Sequence, residues 1–325
     1  MTYESLLSQI SKWHNNQQHE EIINAVRSLP QQKQTSEFVC LLARALINTD
    51  DFSGALSLLD GIKETAQDGY YCVRYGLALY CLRREDEALH WFKQAQAKGL
   101  EEINELPGTY YPKRVSAWVE RAEGWAPRRI EKNAFEEERR KKRNKQAQEN
   151  VVFEAGILEG LWDDCDYSIE KYVGEIPTDA DFENVEASLG YRLPASYKIL
   201  MKKHNGGILS KNIFENPLQR DWTPRSFSAE SIYGIDCKKP YSLCGEMGSK
   251  FWIEEWKYPD IGIVICDTMS GGHDLIFLDY SDCGPEGEPC VVHIDQESDY
   301  ERTYLADSFK DFIEGLFSKD ELSED

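Results

Sequence analysis

Ile261-Gly262-Ile263-Val264-Ile265-Cys266, Leu275-Ile276-Phe277-Leu278 and Val291-Val292-His293-Ile294 are three apolar runs that decide the fold of the C-terminal half. Each is short and continuous, the signature of a buried strand. Residues 267–273, with Gly271-Gly272, read as the first turn, and residues 280–289, with Gly284, Pro285 and Gly287, as a polar loop. Connections this short join antiparallel neighbours. Downstream, Leu305, Phe309, Phe312, Ile313 and Leu316 recur at helical spacing. Upstream, Pro177-Thr178-Asp179 starts a helix that runs through Phe182, Val185, Glu186 and Leu189 to a stop at Gly190. Leu193-Pro194-Ala195-Ser196-Tyr197 opens a second helix through Ile199, Leu200 and Met201. His204-Asn205-Gly206-Gly207 is expected to end it with a left-handed cap. Residues 208–260 read as irregular. Helices, then strands, then a closing helix predict an α+β domain with a mainly antiparallel sheet.

Several separated motifs in this half resemble the SUKH superfamily. They are Glu186-Ala187-Ser188-Leu189-Gly190, Leu193-Pro194, Tyr197 and Asn205-Gly206-Gly207, followed by Gly271-Gly272-His273-Asp274, Leu278-Asp279-Tyr280 and Gly287-Glu288-Pro289. The ending Ala306-Asp307-Ser308-Phe309 through Phe312-Ile313 also fits, so the resemblance covers residues 157–318. It implies a non-enzymatic immunity protein that binds and neutralises a polymorphic or contact-delivered toxin, of nuclease or deaminase class. Fungal members imply the alternative of regulating cell-wall synthesis and signalling. The resemblance carries no catalytic set.

The first hundred residues repeat with a period of 33. The columns are Leu6/Val39/Cys72, Ile10/Ala43/Gly76, Trp13/Leu46/Leu79, Ile22/Ala55/Ala88, Val26/Leu59/Phe92 and Leu29/Ile62/Ala95. Within a unit these offsets read as two helices, with small residues where the helices approach closely. The pattern resembles tetratricopeptide repeats, with Gly76 at the Gly/Ala position and Ala55 and Ala88 at the later Ala position. The first unit departs from it, since Ile22 replaces Ala. Ankyrin repeats share the period, but their Thr-Pro-Leu-His signature is absent. Repeats of this kind form concave scaffolds for a protein or peptide, so the region either binds a second partner or only caps the domain after it.

The array ends near Pro107-Gly108 and Pro112, and Val115, Trp118, Val119 and Ala122 form one capping stripe. From Arg128 to Lys145 the chain is strongly basic and almost free of apolar residues beyond Glu136. It reads as a solvated linker helix with the acidic domain as a surface to lie on; a nucleic-acid contact or a nuclear signal is the sharper alternative, and no interleaved aromatic supports base stacking. The expected division is repeats at 1–106, capping and linker helices at 107–156, the SUKH-like domain at 157–318 and an acidic tail at 319–325.

The chain of 325 residues carries a net charge of −21, all of it in one half. Residues 1–150 hold 22 acidic and 22 basic side chains, and residues 151–325 hold 36 against 15. Such a surface repels phosphates and anionic membranes and attracts basic proteins. No apolar run reaches the roughly 20 residues of a membrane span. No leader pattern opens the chain, and the nine Cys form no CxxC pair, so a reducing cytoplasm is expected.

No phosphate loop, dinucleotide fingerprint, nucleophile elbow or HExxH is present. His273 and His293, with Asp267, Asp274, Asp279 and Asp295 nearby, leave a remote alternative of a metal-dependent hydrolase. The plainer expectation is that His273 orders the Gly-rich turn and His293 pairs across strands. No enzyme activity, cofactor or metal is therefore expected. The candidate partner contacts are Asp163, Asp164, Asp166, Glu254 and Glu255, beside Trp252 and Trp256, which serve equally as core residues.

Overall fold

In the computed structural model, which describes residues 3–66, 68–106, 111–143 and 152–319, the chain divides into two compact units, residues 1–134 and 135–325. The break near Pro107-Gly108, the end of the basic stretch from residue 144 and the acidic tail from residue 320 lie outside the described residues.

The first unit is helical. Three hairpins follow one another: α1 (Tyr3–Asn15) with α2 (His19–Arg27), α3 (Ser36–Ile47) with α4 (Phe52–Gly61), and α5 (Gly69–Cys81) with α6 (Glu85–Ala97). Thr35, Asp51 and Asp68 cap α3, α4 and α5 by accepting from the amides of Phe38, Gly54 and Tyr71. The period is visible in the backbone. Gln17, Asp50 and Arg83, each 33 residues from the next, hold left-handed φ of 58°, 62° and 58° in the turns inside the hairpins. None is a glycine, so the turn chemistry leaves no mark in the sequence. Gly76 has a steric reason, since a Cβ there would sit 2.7 Å from the Phe92 ring.

After α6 the chain turns back. Residues 101–103 pair with residues 113–115, with Ile103 N–H donating to the Lys113 carbonyl at 2.9 Å and Val115 N–H to that of Glu101 at 3.0 Å. Ile103, Glu105 and Leu106 are buried. Next comes α7 (Val115–Arg143), a single helix of 29 residues with Pro127 inside it. The two stretches expected as capping and linker helices are thus continuous, and the division between the units falls within α7, after Ala134. Trp118 is buried, and Arg129 pairs with the buried Glu85 at 2.8 Å.

In the second unit Phe135 stacks edge-on against Tyr304, and Arg139 and Arg143 pair with Asp307 and Asp282. These side chains pack, while Arg140, Lys141 and Lys142 stay exposed beside Glu137 and Glu138. The elements that follow are β1 (Trp162–Asp163), α8 (Asp166–Lys171), α9 (Asp179–Leu189), α10 (Ala195–Lys203), β2 (Gly207–Leu209), β3 (Ile213–Glu215), β4 (Ser226–Ser228), β5 (Ser231–Ile232), α11 (Ser249–Glu254), β6 (Gly262–Asp267), β7 (Asp274–Asp279), β8 (Cys290–Asp295), β9 (Glu301–Ala306), α12 (Phe309–Glu314) and β10 (Leu316–Phe317). The meander β6-β7-β8-β9 is antiparallel throughout, and its β7–β8 register puts Ile276 opposite His293. Two smaller antiparallel sheets, β1-β2-β5 and β10-β3-β4, draw most of β2 and all of β3, β4 and β5 from residues 208–260, expected to be irregular. Their strands have two or three residues, too short to show alternation. The closing helix is shorter than its spacing predicts, since Leu305 lies in β9 and Leu316 in β10. Backbone bonds from Glu230 and Tyr233 to Asp267 and Ile265 tie β5 to β6.

The domain is α+β, with its core between the meander and α9, α10 and α12. Thr178 and Asp181 form a capping box at the start of α9, and Gly190 ends it at φ 79°. The expected left-handed cap of α10 is absent. His204 ends that helix in extended conformation, and Asn205 is used otherwise.

Candidate partner-binding cleft

α11 starts at Ser249, whose Oγ accepts from Val264 N–H at 3.0 Å and so fixes the helix to β6. One turn on, Trp252 enters the core. It is 3% exposed, and its indole N–H donates to the Met247 carbonyl at 2.9 Å. A Cβ at Gly272, where φ is +103°, would lie 2.5 Å from its ring. This explains the Gly-Gly turn, and it makes Trp252 a packing residue with almost no surface left for a partner.

The chain then leaves the helix through Glu255, Trp256 and Lys257. Lys257 holds a left-handed φ of 62°. Across from it, Asp295 caps the β8–β9 turn by accepting from the amides of Glu297 and Ser298, and Asp299 and Tyr300 follow at φ 58° and 56°. Such backbone costs about 1–3 kcal/mol for each non-glycine residue, and it concentrates where function needs a particular shape. All three non-glycine residues of this kind described in the second unit stand here. Tyr300 Oη donates to the Trp256 carbonyl at 2.5 Å and joins the two loops.

Between the loops lies an open cleft of about 800 Å³, lined by Glu246, Phe251, Glu255, Trp256, Lys257, Gln296 and Tyr300. Glu246, Glu254 and Glu255 are exposed and have no ion-pair partner among the described residues. Lys257 directs its ammonium to the Glu254 carbonyl oxygen. Aromatic rings between free carboxylates suit a cationic side chain, by charge and by contact with the ring face. Of the sequence candidates, Glu255 and Trp256 line the cleft and Glu254 adjoins it. Phe251, Gln296 and Tyr300 carry no local signal, since Tyr300 meets Trp256 from 44 residues away.

Asp163, Asp164 and Asp166 are exposed but belong elsewhere, on β1 and the start of α8. Asp163 accepts from Cys165 N–H, and Asp164 meets His204 Nε2 at 3.0 Å. Among the described residues, no hydrogen bond or ion pair joins them to the cleft residues.

The family motif residues are structural. Asn205 is 2% exposed. Its Nδ2 donates to the Glu175 carbonyl at 2.7 Å, its Oδ1 accepts from Ile235 N–H at 2.9 Å, and its carbonyl accepts from Gly174 N–H at 2.9 Å. Three chain segments meet at this side chain. A Cβ at Gly206, where φ is +80°, would lie 2.5 Å from Gly234 N, so only glycine admits the approach. Gly207 lies against Trp162, whose ring stacks on His204. Leu193 is buried, Pro194 precedes the first turn of α10, and the Tyr197 hydroxyl donates to the Tyr233 carbonyl inside the core. Gly271 supplies positive φ to the turn before β7. Asp279 is buried and held by Arg302, which also reaches Glu136 at 2.7 Å.

The two histidines do not form one site. His293 Nε2 meets Asp274 at 2.6 Å, and its ring packs on Phe227. His273 is half exposed and faces Glu297 at 3.7 Å. Burial pushes the Asp274 carboxyl up, but hydrogen bonds from His293, Ser270 and Thr268 outweigh this and hold it at about 2. Ser270 Oγ bonds Thr268 Oγ1 and accepts from Asp274 N–H, which closes the turn before β7. Among the described residues no group of three or more His, Cys, Asp or Glu side chains is placed to hold a metal ion, and no helix is long and apolar enough to cross a membrane.

The second unit is an antiparallel meander flanked by helices, with motif glycines and Asn205 as internal ties. Residues 179–313 match the family model SUKH_6, described as SMI1-KNR4 cell-wall, which supports the resemblance found in the sequence of this half. The helical hairpins lie outside the matched residues. No curated protein matches the chain.

Proposed function

We propose that the chain is a non-enzymatic cytoplasmic immunity protein, whose acidic second unit captures and neutralises a basic protein toxin of nuclease or deaminase class. The observation that carries this reading is the open cleft, in which Trp256, Phe251 and Tyr300 stand between the unpaired carboxylates of Glu246 and Glu255. The family match over residues 179–313 supports it, as does the acidic excess after residue 150. A basic loop of the toxin enters the cleft and the surrounding acids steer it there. Tetratricopeptide-like hairpins then contribute a second contact or none. The alternative of a regulatory scaffold places the main partner on the hairpins instead.

The test is salt-titrated binding of the full chain to basic toxin domains of the nuclease and deaminase classes. Trp256→Ala and Glu255→Lys should each weaken binding at least tenfold, about 1.4 kcal/mol, with unchanged circular dichroism. Affinity that is indifferent to both substitutions and to salt would remove the cleft from the interface.

A further inference from the structure

The chain between β5 and α11 forms no helix or strand apart from one bridge, Gly234 with Ser242, yet it is closely bonded to itself. Leu243 N–H donates to the Gly234 carbonyl at 2.8 Å, Met247 N–H to that of Pro240 at 2.9 Å and Ser249 N–H to that of Leu243 at 3.0 Å. The Ser242 hydroxyl donates to the Lys239 carbonyl at 3.0 Å. This folding back brings Cys237 and Cys244 together, with their thiols in hydrogen-bonding reach of one another.

The two thiols differ in surroundings. Cys237 is exposed, and its Sγ donates to the Ile235 carbonyl at 3.8 Å. Ile235 is the residue whose N–H reaches Asn205, so this thiol stands beside the motif tie. Cys244 is half-buried, with Ser188 of α9 also in hydrogen-bonding reach. Burial, and after it the neighbouring Cys237, push the Cys244 thiol well above its ordinary value, so it keeps its proton at neutral pH. An exposed sulfur backed by a sheltered second one is the arrangement in which oxidation stops at a disulfide rather than running on to the sulfinic acid.

We infer that Cys237 and Cys244 form a peroxide-reactive dithiol, which closes to a reversible disulfide and locks the loop leading into α11. The Cys237 sulfur attacks one oxygen of hydrogen peroxide, the O–O bond breaks, and one water leaves as the sulfenic acid forms. The Cys244 sulfur then attacks the Cys237 sulfur and the S–O bond breaks. The departing hydroxide takes the Cys244 proton and leaves as a second water. Two electrons thus pass from the sulfurs to the peroxide, and a reducing thiol restores the pair by exchange. Disulfides of this transient kind are the ones a reducing compartment uses to sense oxidants. The inference does not depend on what enters the cleft, although Glu246, which lines it, lies on the locked loop.

The test treats the reduced full chain with hydrogen peroxide and maps its cysteines by mass spectrometry. Trypsin cuts after Lys238, between the two cysteines, so their bond shows as a linked pair of peptides that dithiothreitol separates. That pair should be the main product. Cys244→Ser should instead leave Cys237 as a sulfenic acid, trapped by dimedone about tenfold more than in the unmodified chain. Amide exchange at Leu243 and Met247 should slow about tenfold on oxidation and recover on reduction, since the crosslink removes open states of the loop. Should Cys244→Ser not fold, the linked peptides and the exchange rates of the unmodified chain decide the matter. Cys237 oxidised to the sulfinic acid with no linked peptides, or linked peptides with unchanged exchange at Leu243 and Met247, overturns the inference.

Discussion

Asn205→Ala tests whether the Asn-Gly-Gly motif is a structural tie. The substitution removes two hydrogen bonds, and their surroundings differ. Ile235 is 3% exposed, so its N–H loses its acceptor in a place water does not reach. That costs about 2 kcal/mol, within the 1–3 expected for a stranded buried donor. Glu175 is exposed, so water replaces most of what its carbonyl loses, at about 0.5 kcal/mol. The expected destabilisation is thus about 2–3 kcal/mol, or a lowering of Tm by about 5–10 °C for a unit of this size. Asn205→Asp keeps the acceptor for Ile235 but sets a carboxylate oxygen against the Glu175 carbonyl and buries a charge, so it should destabilise at least as much as Asn205→Ala while Ile235 stays protected in the folded chain. The assay is thermal unfolding with hydrogen exchange at Ile235, whose amide should lose protection in Asn205→Ala. Melting within about 2 °C of the unmodified chain, with Ile235 still protected, would refute the argument. Asn205 would then have to be sought in binding instead.

Two further substitutions probe the same unit. Asp274 titrates near 2, below its ordinary 3.8, so it contributes stability above about pH 4 that is lost as the pH falls toward 2. Asp274→Asn should flatten the stability profile between pH 2 and 4 by about 2 kcal/mol in acid-titrated melts; an unchanged slope contradicts the pairing with His293. Gly272→Ala puts a methyl against Trp252 at a φ that L-residues avoid and should cost about 2–4 kcal/mol, read as a lower denaturant midpoint and a shifted Trp emission.

Three strands of the meander were legible because each of β6, β7 and β8 is a run of buried apolar residues, whereas β9 opens on polar residues and its Leu305 was read at helical spacing with Phe309. Thr178 and Gly190 marked α9 at both ends for the same local reason. β1 to β5 were not legible, since two or three residues cannot display a period and their pairing is set by distant partners. The continuity of α7 was hidden by Pro127, which suggests a boundary but is tolerated on a largely exposed helix. The repeat was read from side-chain columns alone, while the left-handed turns at Gln17, Asp50 and Arg83 use residues with no turn preference in common. The cleft showed only as Glu255 and Trp256. Its other wall comes from the β8–β9 turn, and no spacing rule connects the two.

Charge shows why a sequence count and a surface differ. The count assigns the second half 36 acidic residues as though all faced a partner. Yet Asp279, Asp282 and Asp307 are held by Arg302, Arg143 and Arg139, the last two from the basic stretch that looked like a solvated linker. Those acids contribute to folding and little to attraction, because a neighbouring guanidinium cancels their field within a few ångströms. Glu246, Glu254 and Glu255 keep theirs, and they stand where the backbone is held in costly left-handed turns beside half-buried aromatic rings. Free charge, strained backbone and ring surface coincide in this one place of the second unit. That coincidence, rather than net charge, is the physical ground for placing a basic partner at the cleft.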